Sequence, residues 1–343
     1  MPNIPTWSSV KDSLPPSTWS DPFRAYSSGY VGTWNDPEGT ERLRDAVIGA
    51  GGFWHAEDVA YAIGAAGQGA GKLCLLTEEI AAVFGRQAMP GPAQQIGDCV
   101  THNLKNAILA TLSSNIRAGQ QGKPNVTPEA IAQGVLSTEV PYWWRGSSGD
   151  GWSCDEALDV SMQHAGAVLR QNYPTANVDL TRYSAKVAHR FGAKAPDRKT
   201  AEVFNDNLVT SVTRCRSWEE VRDMVASGQG LSSCGSEGWE NQRDDWGVSR
   251  RQGRWAHALA VHGVDDRPEA WKKYGCGLVL VAQSWGEKWN SGPTLIYGTR
   301  LHIPRGYYWS RWTDFKNRTI SAVSTVQGWR NNRLPDWNLR EWI

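Results

Sequence analysis

Apolar residues recur at every fourth position through Val100, Leu104, Ile108, Leu112 and Ile116, which is the spacing of one face of an α-helix. The run begins directly after Gly97-Asp98-Cys99. Any fold of this chain must therefore bury a long helix whose first turn carries a cysteine. Thr127-Pro128-Glu129 opens a second helix, with Thr as N-cap and Pro in the first turn, and 155–169 supplies a third. Beyond residue 208 the texture changes to β-branched and aromatic runs broken by glycine. These predict strands over 209–213, 258–264, 277–283 and 294–303. Helices followed by strands imply an α+β fold and not alternating βαβ units.

The chain of 343 residues is long enough to divide a core between two lobes. Its 36 Lys and Arg nearly balance 35 Asp and Glu, so no basic excess points to nucleic acid or an anionic membrane. The longest apolar runs, such as 277–282, fall far short of the roughly 20 residues that span a bilayer. Residues 1–20 are rich in Pro, Ser and Trp and lack the basic start and apolar core of a secretory signal. These features predict an intracellular protein or a component of a virion or other assembly. Six cysteines are scattered without a CxxC pair, which reads as mostly free thiols, with Cys154 and Cys234 as bystanders. No closely spaced Cys and His set suggests a metal, and no cofactor is implied.

A glycine loop, Gly67-Gln68-Gly69-Ala70-Gly71-Lys72, superficially looks like a phosphate-binding loop. Leu73 follows the lysine where Ser or Thr would hold magnesium, so the expectation is a flexible loop. The cysteine is a better lead. Unpaired N–H groups at a helix start favour thiolate over thiol, which predicts a lowered pKa for Cys99. Gln94 and Gln95, just upstream, offer a side-chain amide to a developing oxyanion. His257 opens an apolar strand through Val261, and Gln283-Ser284-Trp285-Gly286 follows it. A cysteine nucleophile needs an imidazole as base and an amide to orient that ring, and these segments supply both. His102 lies on the same helix as Cys99, where approach geometry is poor for a base. His262 falls on the opposite strand face from His257 by the period-two rule and reads as structural. Asp98 reads as the helix cap.

Taken together, these segments resemble the papain family of cysteine peptidases. Cys99 matches the family's nucleophile, 257–261 its histidine strand, and Gln283-Ser284-Trp285-Gly286 its Asn-Ser-Trp-Gly signature. Thr127-Pro128-Glu129 is similar to its second-helix entry, Gly151-Trp152-Ser153 to its substrate loop, and Asn172-Tyr173-Pro174 to the Tyr-Pro that follows. The helix at 218–230 and the closing strand at Gly306-Tyr307-Tyr308-Trp309 extend the likeness over residues 90–312. Val100 replaces the aromatic that follows the nucleophile, and Gln283 replaces the orienting asparagine with a longer amide.

The resemblance implies a two-lobed fold: a helical lobe over 89–205 and a barrel-like β lobe over 206–315. It implies hydrolysis of peptide or isopeptide bonds in a protein or peptide substrate by Cys99, His257 and Gln283. Gln95 or Gln94 serves the oxyanion, with Gly151, Trp152 and Trp285 near the substrate. Residues 1–88, with helical signals at 38–48 and 56–63 and a cap at Thr77, stand where the family carries a propeptide and are expected in the cleft. The tail over 316–343 contributes to a tryptophan-rich end (Trp309, Trp312, Trp329, Trp337, Trp342) suited to packing or to assembly with another protein. Two rival readings follow from the same residues. One is a papain-fold structural protein with a blocked cleft, and the other is a transglutaminase-like acyl transferase.

Overall fold

Helices fill the earlier part of the chain and strands the later part, so the fold is α+β as expected. The computed structural model describes residues 53–338, apart from 206, 207 and 327. The described chain opens with β1 (Phe53–His55), α1 (Ala56–Ala62), β2 (Leu73–Leu75) and α2 (Leu76–Phe84). A helical region follows: α3 (Cys99–Arg117), α4 (Pro128–Ala132), α5 (Glu139–Tyr142) and α6 (Cys154–Gln163). Next come the ribbon of β3 (Asn172–Tyr173) and β4 (Val178–Asp179), then α7 (Ala185–Ala188) and α8 (Arg198–Glu202). The rest comprises β5 (Ser211–Cys215), α9 (Trp218–Ala226), β6 (Leu231–Arg243), β7 (Ser249–Asp265) and α10 (Pro268–Tyr274). It closes with β8 (Leu278–Ala282), β9 (Tyr308–Arg311), α11 (Trp312–Phe315) and β10 (Thr319–Ser324).

The main sheet runs β1-β5-β10-β6-β7-β8-β9, antiparallel at every step except the parallel β1–β5 pair. Strand β6 pairs with β7 as far as Val261, and β2 continues the pairing on Gly263 to Asp265. Both short strands ahead of residue 89 are thus built into the main sheet. The helical signal at 38–48, the opening 1–20 and any approach of 1–52 to the cleft lie outside the described residues.

Helix α3 packs against α2, β6, β7 and β10, and every residue from Cys99 to Asn115 is buried. The four-residue periodicity marks only its most apolar face. On the other faces several polar groups are paired across the interface. Asn103 Nδ2 donates to Ser232 Oγ at 2.6 Å, Thr111 Oγ1 to the Val323 carbonyl at 3.0 Å, and Asn115 Nδ2 to Thr325 Oγ1 at 2.8 Å. Close approach of sheet to helix depends on Gly230, where an added Cβ would stand 2.2 Å from the Ala107 carbonyl oxygen.

Local signals and observed elements agree where a cap is present. Thr127 accepts the Ala130 N–H at the start of α4. Helix α2 instead begins at Leu76, which leaves Thr77 inside its first turn. The third helix ends at Gln163, short of the predicted 169. Segment 294–303 is not a strand of the sheet. It turns at Gly298 (φ +71°) and closes on itself, with Ile296 N–H to the Leu301 carbonyl and Ile303 N–H to the Thr294 carbonyl, both at 2.9 Å. Trp309, Trp312, Trp329 and Trp337 all pack on the core, and Trp337 N–H donates to the Leu73 carbonyl; Trp342 lies outside the described residues. No helix among the described residues is long and apolar enough to cross a membrane.

The glycine loop after α1 is anchored, which corrects the expectation of flexibility. Gly67 and Gly69 donate their N–H groups to the Asp223 carboxylate at 2.6 and 3.1 Å, and Gly71 donates to Asp266 at 2.8 Å. Carboxylates of the chain itself occupy the donors that a phosphate would need.

Candidate active site

Cys99 is the first residue of α3, and the backbone N–H of Ala258 on β7 points at its sulfur. Helix start and strand thus bring the thiol against the β7 backbone at the residue that follows His257. Both Cys99 and His257 are fully buried. Burial pushes the thiol up to about 12, and the nearby Asp98 carboxylate adds to the rise. The N–H groups of Ala258 and Val100 and the Arg318 guanidinium oppose it without prevailing. The lowered pKa expected from the helix start is therefore reversed, because desolvation of the thiolate outweighs the aligned donors.

The His257 ring stacks on Trp285, with centroids 4.4 Å apart and an interplanar angle of 23°, and stands edge-on to Trp255. Its Nε2 lies 3.5 Å from Ser284 Oγ, and that hydroxyl donates to Gln94 Oε1. Gln94 also donates its N–H to the Ser284 carbonyl at 2.7 Å and its Nε2 to the Ile96 carbonyl at 2.9 Å. Of the two upstream glutamines, Gln94 therefore faces the site. Gln95 is exposed, with its N–H on Tyr183 Oη. Gln283 directs its amide to the turn that follows it. Its Nε2 reaches the carbonyls of Gly286 and Gly306 at 3.3 and 3.4 Å, and its Oε1 accepts the Trp285 N–H.

The loop ahead of α6 is zipped to the residues before Cys99. Gly151 N–H donates to the Gly97 carbonyl at 3.1 Å, and Gly97 N–H donates to Asp150 Oδ2 at 3.0 Å. Gly151 thus borders the nucleophile, whereas Trp152 is fully buried and edge-on to Tyr142. In this form Trp152 supports the loop from inside.

Asp98 occupies the N-cap position, yet its side chain makes no capping bond. It accepts from Tyr183 Oη at 2.8 Å and faces His102 Nε2 at 3.5 Å, a buried polar cluster under the helix start. His262 falls at an irregularity in the β7–β8 pairing, which breaks the period-two rule. Its Nε2 meets the Asn106 carbonyl at 2.9 Å, and burial drives its pKa down to about 4, so it serves as packing.

Two features escaped the sequence. Cys154 and Cys234 are not bystanders: they form a disulfide, Cα to Cα 6.6 Å, between the first residue of α6 and β6. Cys234 pairs in register with Ala258, so the bond ties the helical region to the sheet next to Cys99. Cys74, Cys99, Cys215 and Cys276 are free and buried. The other feature is Arg318, fully buried, which donates to the His257 carbonyl and to the Ser233 carbonyl and pairs with Glu237 at 3.4 Å. No local motif marks an arginine there.

No family model and no curated protein matches the chain. Solved structures do. Xylellain, a cysteine protease from Xylella fastidiosa, aligns at 15% identity over 69% of this chain and 82% of its own, TM-score 0.44. Digestive procathepsin L 3 of Tenebrio molitor larval midgut aligns at 11% identity over 83% and 92%, TM-score 0.38. Procathepsin B S9 from Trypanosoma congolense aligns at 10% identity over 75% and 77%, TM-score 0.42. Values this low add no weight to the geometry above.

Proposed function

We propose that the chain is a papain-like cysteine peptidase, with Cys99 as nucleophile and His257 as its base, held here in a closed form. The observation that carries this reading is the convergence of the α3 start and β7, which sets the Cys99 sulfur against the N–H that follows His257. In the open form His257 takes the thiol proton, and the thiolate attacks the carbonyl carbon of a peptide or isopeptide bond. The Gln94 amide and the Cys99 N–H receive the oxyanion. The imidazolium then gives its proton to the leaving amine, and water releases the acyl group. Ser284 and the Trp285 face hold the ring, while Gln283 directs its amide into the turn that follows it.

A second reading, a catalytically silent papain-fold protein, is favoured by one observation: Cys99 and His257 are both without exposed surface. Incubating the protein with denatured protein substrates under mild reduction, and mapping new termini by mass spectrometry, separates the two. The peptidase reading expects cleavage that disappears in Cys99→Ala. Absence of new termini in the reduced, folded protein would favour the silent form.

A further inference from the structure

Past the turn that carries Trp285 lies a cavity of about 430 Å³, lined in part by Arg86, Arg300, His302, Arg305, Glu287 and Ile303. Three guanidiniums thus face one carboxylate, in a chain whose charges otherwise balance. Arg86 shares its charge with Glu78 at 2.7 Å. Arg300 and Arg305 are exposed, and no ion pair found among the described residues engages either of them. His302 Nδ1 is fixed on Thr294 Oγ1 at 2.9 Å. Ile303 is buried, so the cavity combines an apolar wall with exposed arginines.

Its walls are tied to the catalytic turn. An added Cβ on Gly306, next to Arg305, would stand 2.4 Å from the Gly286 carbonyl oxygen, so the two backbones touch. Gln283 Nε2 bridges the carbonyls of Gly286 and Gly306 and sets their spacing. Glu287 lies two residues beyond Trp285, whose ring covers His257. The cavity therefore adjoins the turn that carries Trp285.

We infer that this cavity is a specificity pocket for a carboxylate carried by the leaving-group portion of a peptide substrate. Paired guanidiniums recognise carboxylates by charge-assisted, often bidentate bonds, and the apolar wall suits the aliphatic part of the residue. The word substrate rests on the peptidase reading; the binding itself does not.

The test is isothermal titration of Cys99→Ala protein with three probes: tetra-alanine with a free carboxylate, its amide, and an amidated tetrapeptide ending in Glu. At least one acidic probe is expected to bind about tenfold more tightly than the neutral amide. That preference should vanish in Arg300→Ala/Arg305→Ala and shrink at raised salt. Preference for the free acid identifies an α-carboxylate, and preference for the amidated Glu peptide identifies a side chain. Equal binding of all three, or a preference that survives the double substitution, overturns the pocket. Thiol reactivity of Cys99 is judged separately, so the pocket can fail while the peptidase reading stands, and the reverse.

Discussion

The thiol at the start of α3 and the arginine pocket past the Trp285 turn have opposite relations to water. Cys99 and His257 are fully buried, with the Cys154–Cys234 bond anchored opposite Ala258, and burial keeps the thiol neutral. Arg300 and Arg305 stand open and charged a short distance along the chain from the same turn. On the proposed reading the recognition groups are ready in this form, whereas the thiol must be uncovered before its pKa falls into a useful range. On the proposed peptidase reading, a substrate is held by charge before chemistry begins.

Breaking the seal should have the largest effect. Cys154→Ser/Cys234→Ser releases a link across 80 residues of sequence and should cost about 4 kcal/mol of stability in denaturant titrations. It should also raise the alkylation rate of Cys99. An unchanged rate would mean that something other than this bond covers the thiol. Gly230→Ala forces a methyl against Ala107 and Ala110 of the buried helix and should cost about 2 kcal/mol, measured the same way.

Lys105 sharpens the contrast further. It is buried near Arg170 and Glu139, and burial, reinforced by Arg170, lowers its pKa to about 7. The unfolded chain holds this proton more tightly, so stability rises as pH increases through the window above 7. Between pH 7 and 8.5 the gain over Lys105→Met should be about 1.5 kcal/mol, read by urea unfolding at the two pH values. A parallel response of both proteins would contradict the buried ammonium. The smallest effect belongs to the wet side. Arg300→Ala/Arg305→Ala should shift stability by less than about 0.5 kcal/mol while abolishing selection of acidic peptides.

What the sequence made legible was local. The α3 start at Cys99, the Thr127 cap and the apolar strand after His257 are written in spacings of a few residues. Pairings made by long-range closure were hidden: the Cys154–Cys234 bond has no motif, and Arg318 reaches the His257 carbonyl from beyond β9. The choice between Gln94 and Gln95 depended on which side chain meets Ser284, a contact 190 residues apart. The direction of the Cys99 pKa is hidden for a similar reason. Helix-end donors are visible in a sequence, but the depth of burial that overrides them is not.

The central claim is tested most directly by iodoacetamide at about pH 6, where an ordinary thiol reacts slowly, with the modified cysteines mapped by mass spectrometry. In Cys154→Ser/Cys234→Ser protein the account predicts that Cys99 is labelled well ahead of Cys74, Cys215 and Cys276, and that His257→Ala removes its advantage. Labelling of Cys99 no faster than the other buried thiols, or a rate indifferent to His257, would contradict an activated Cys–His pair.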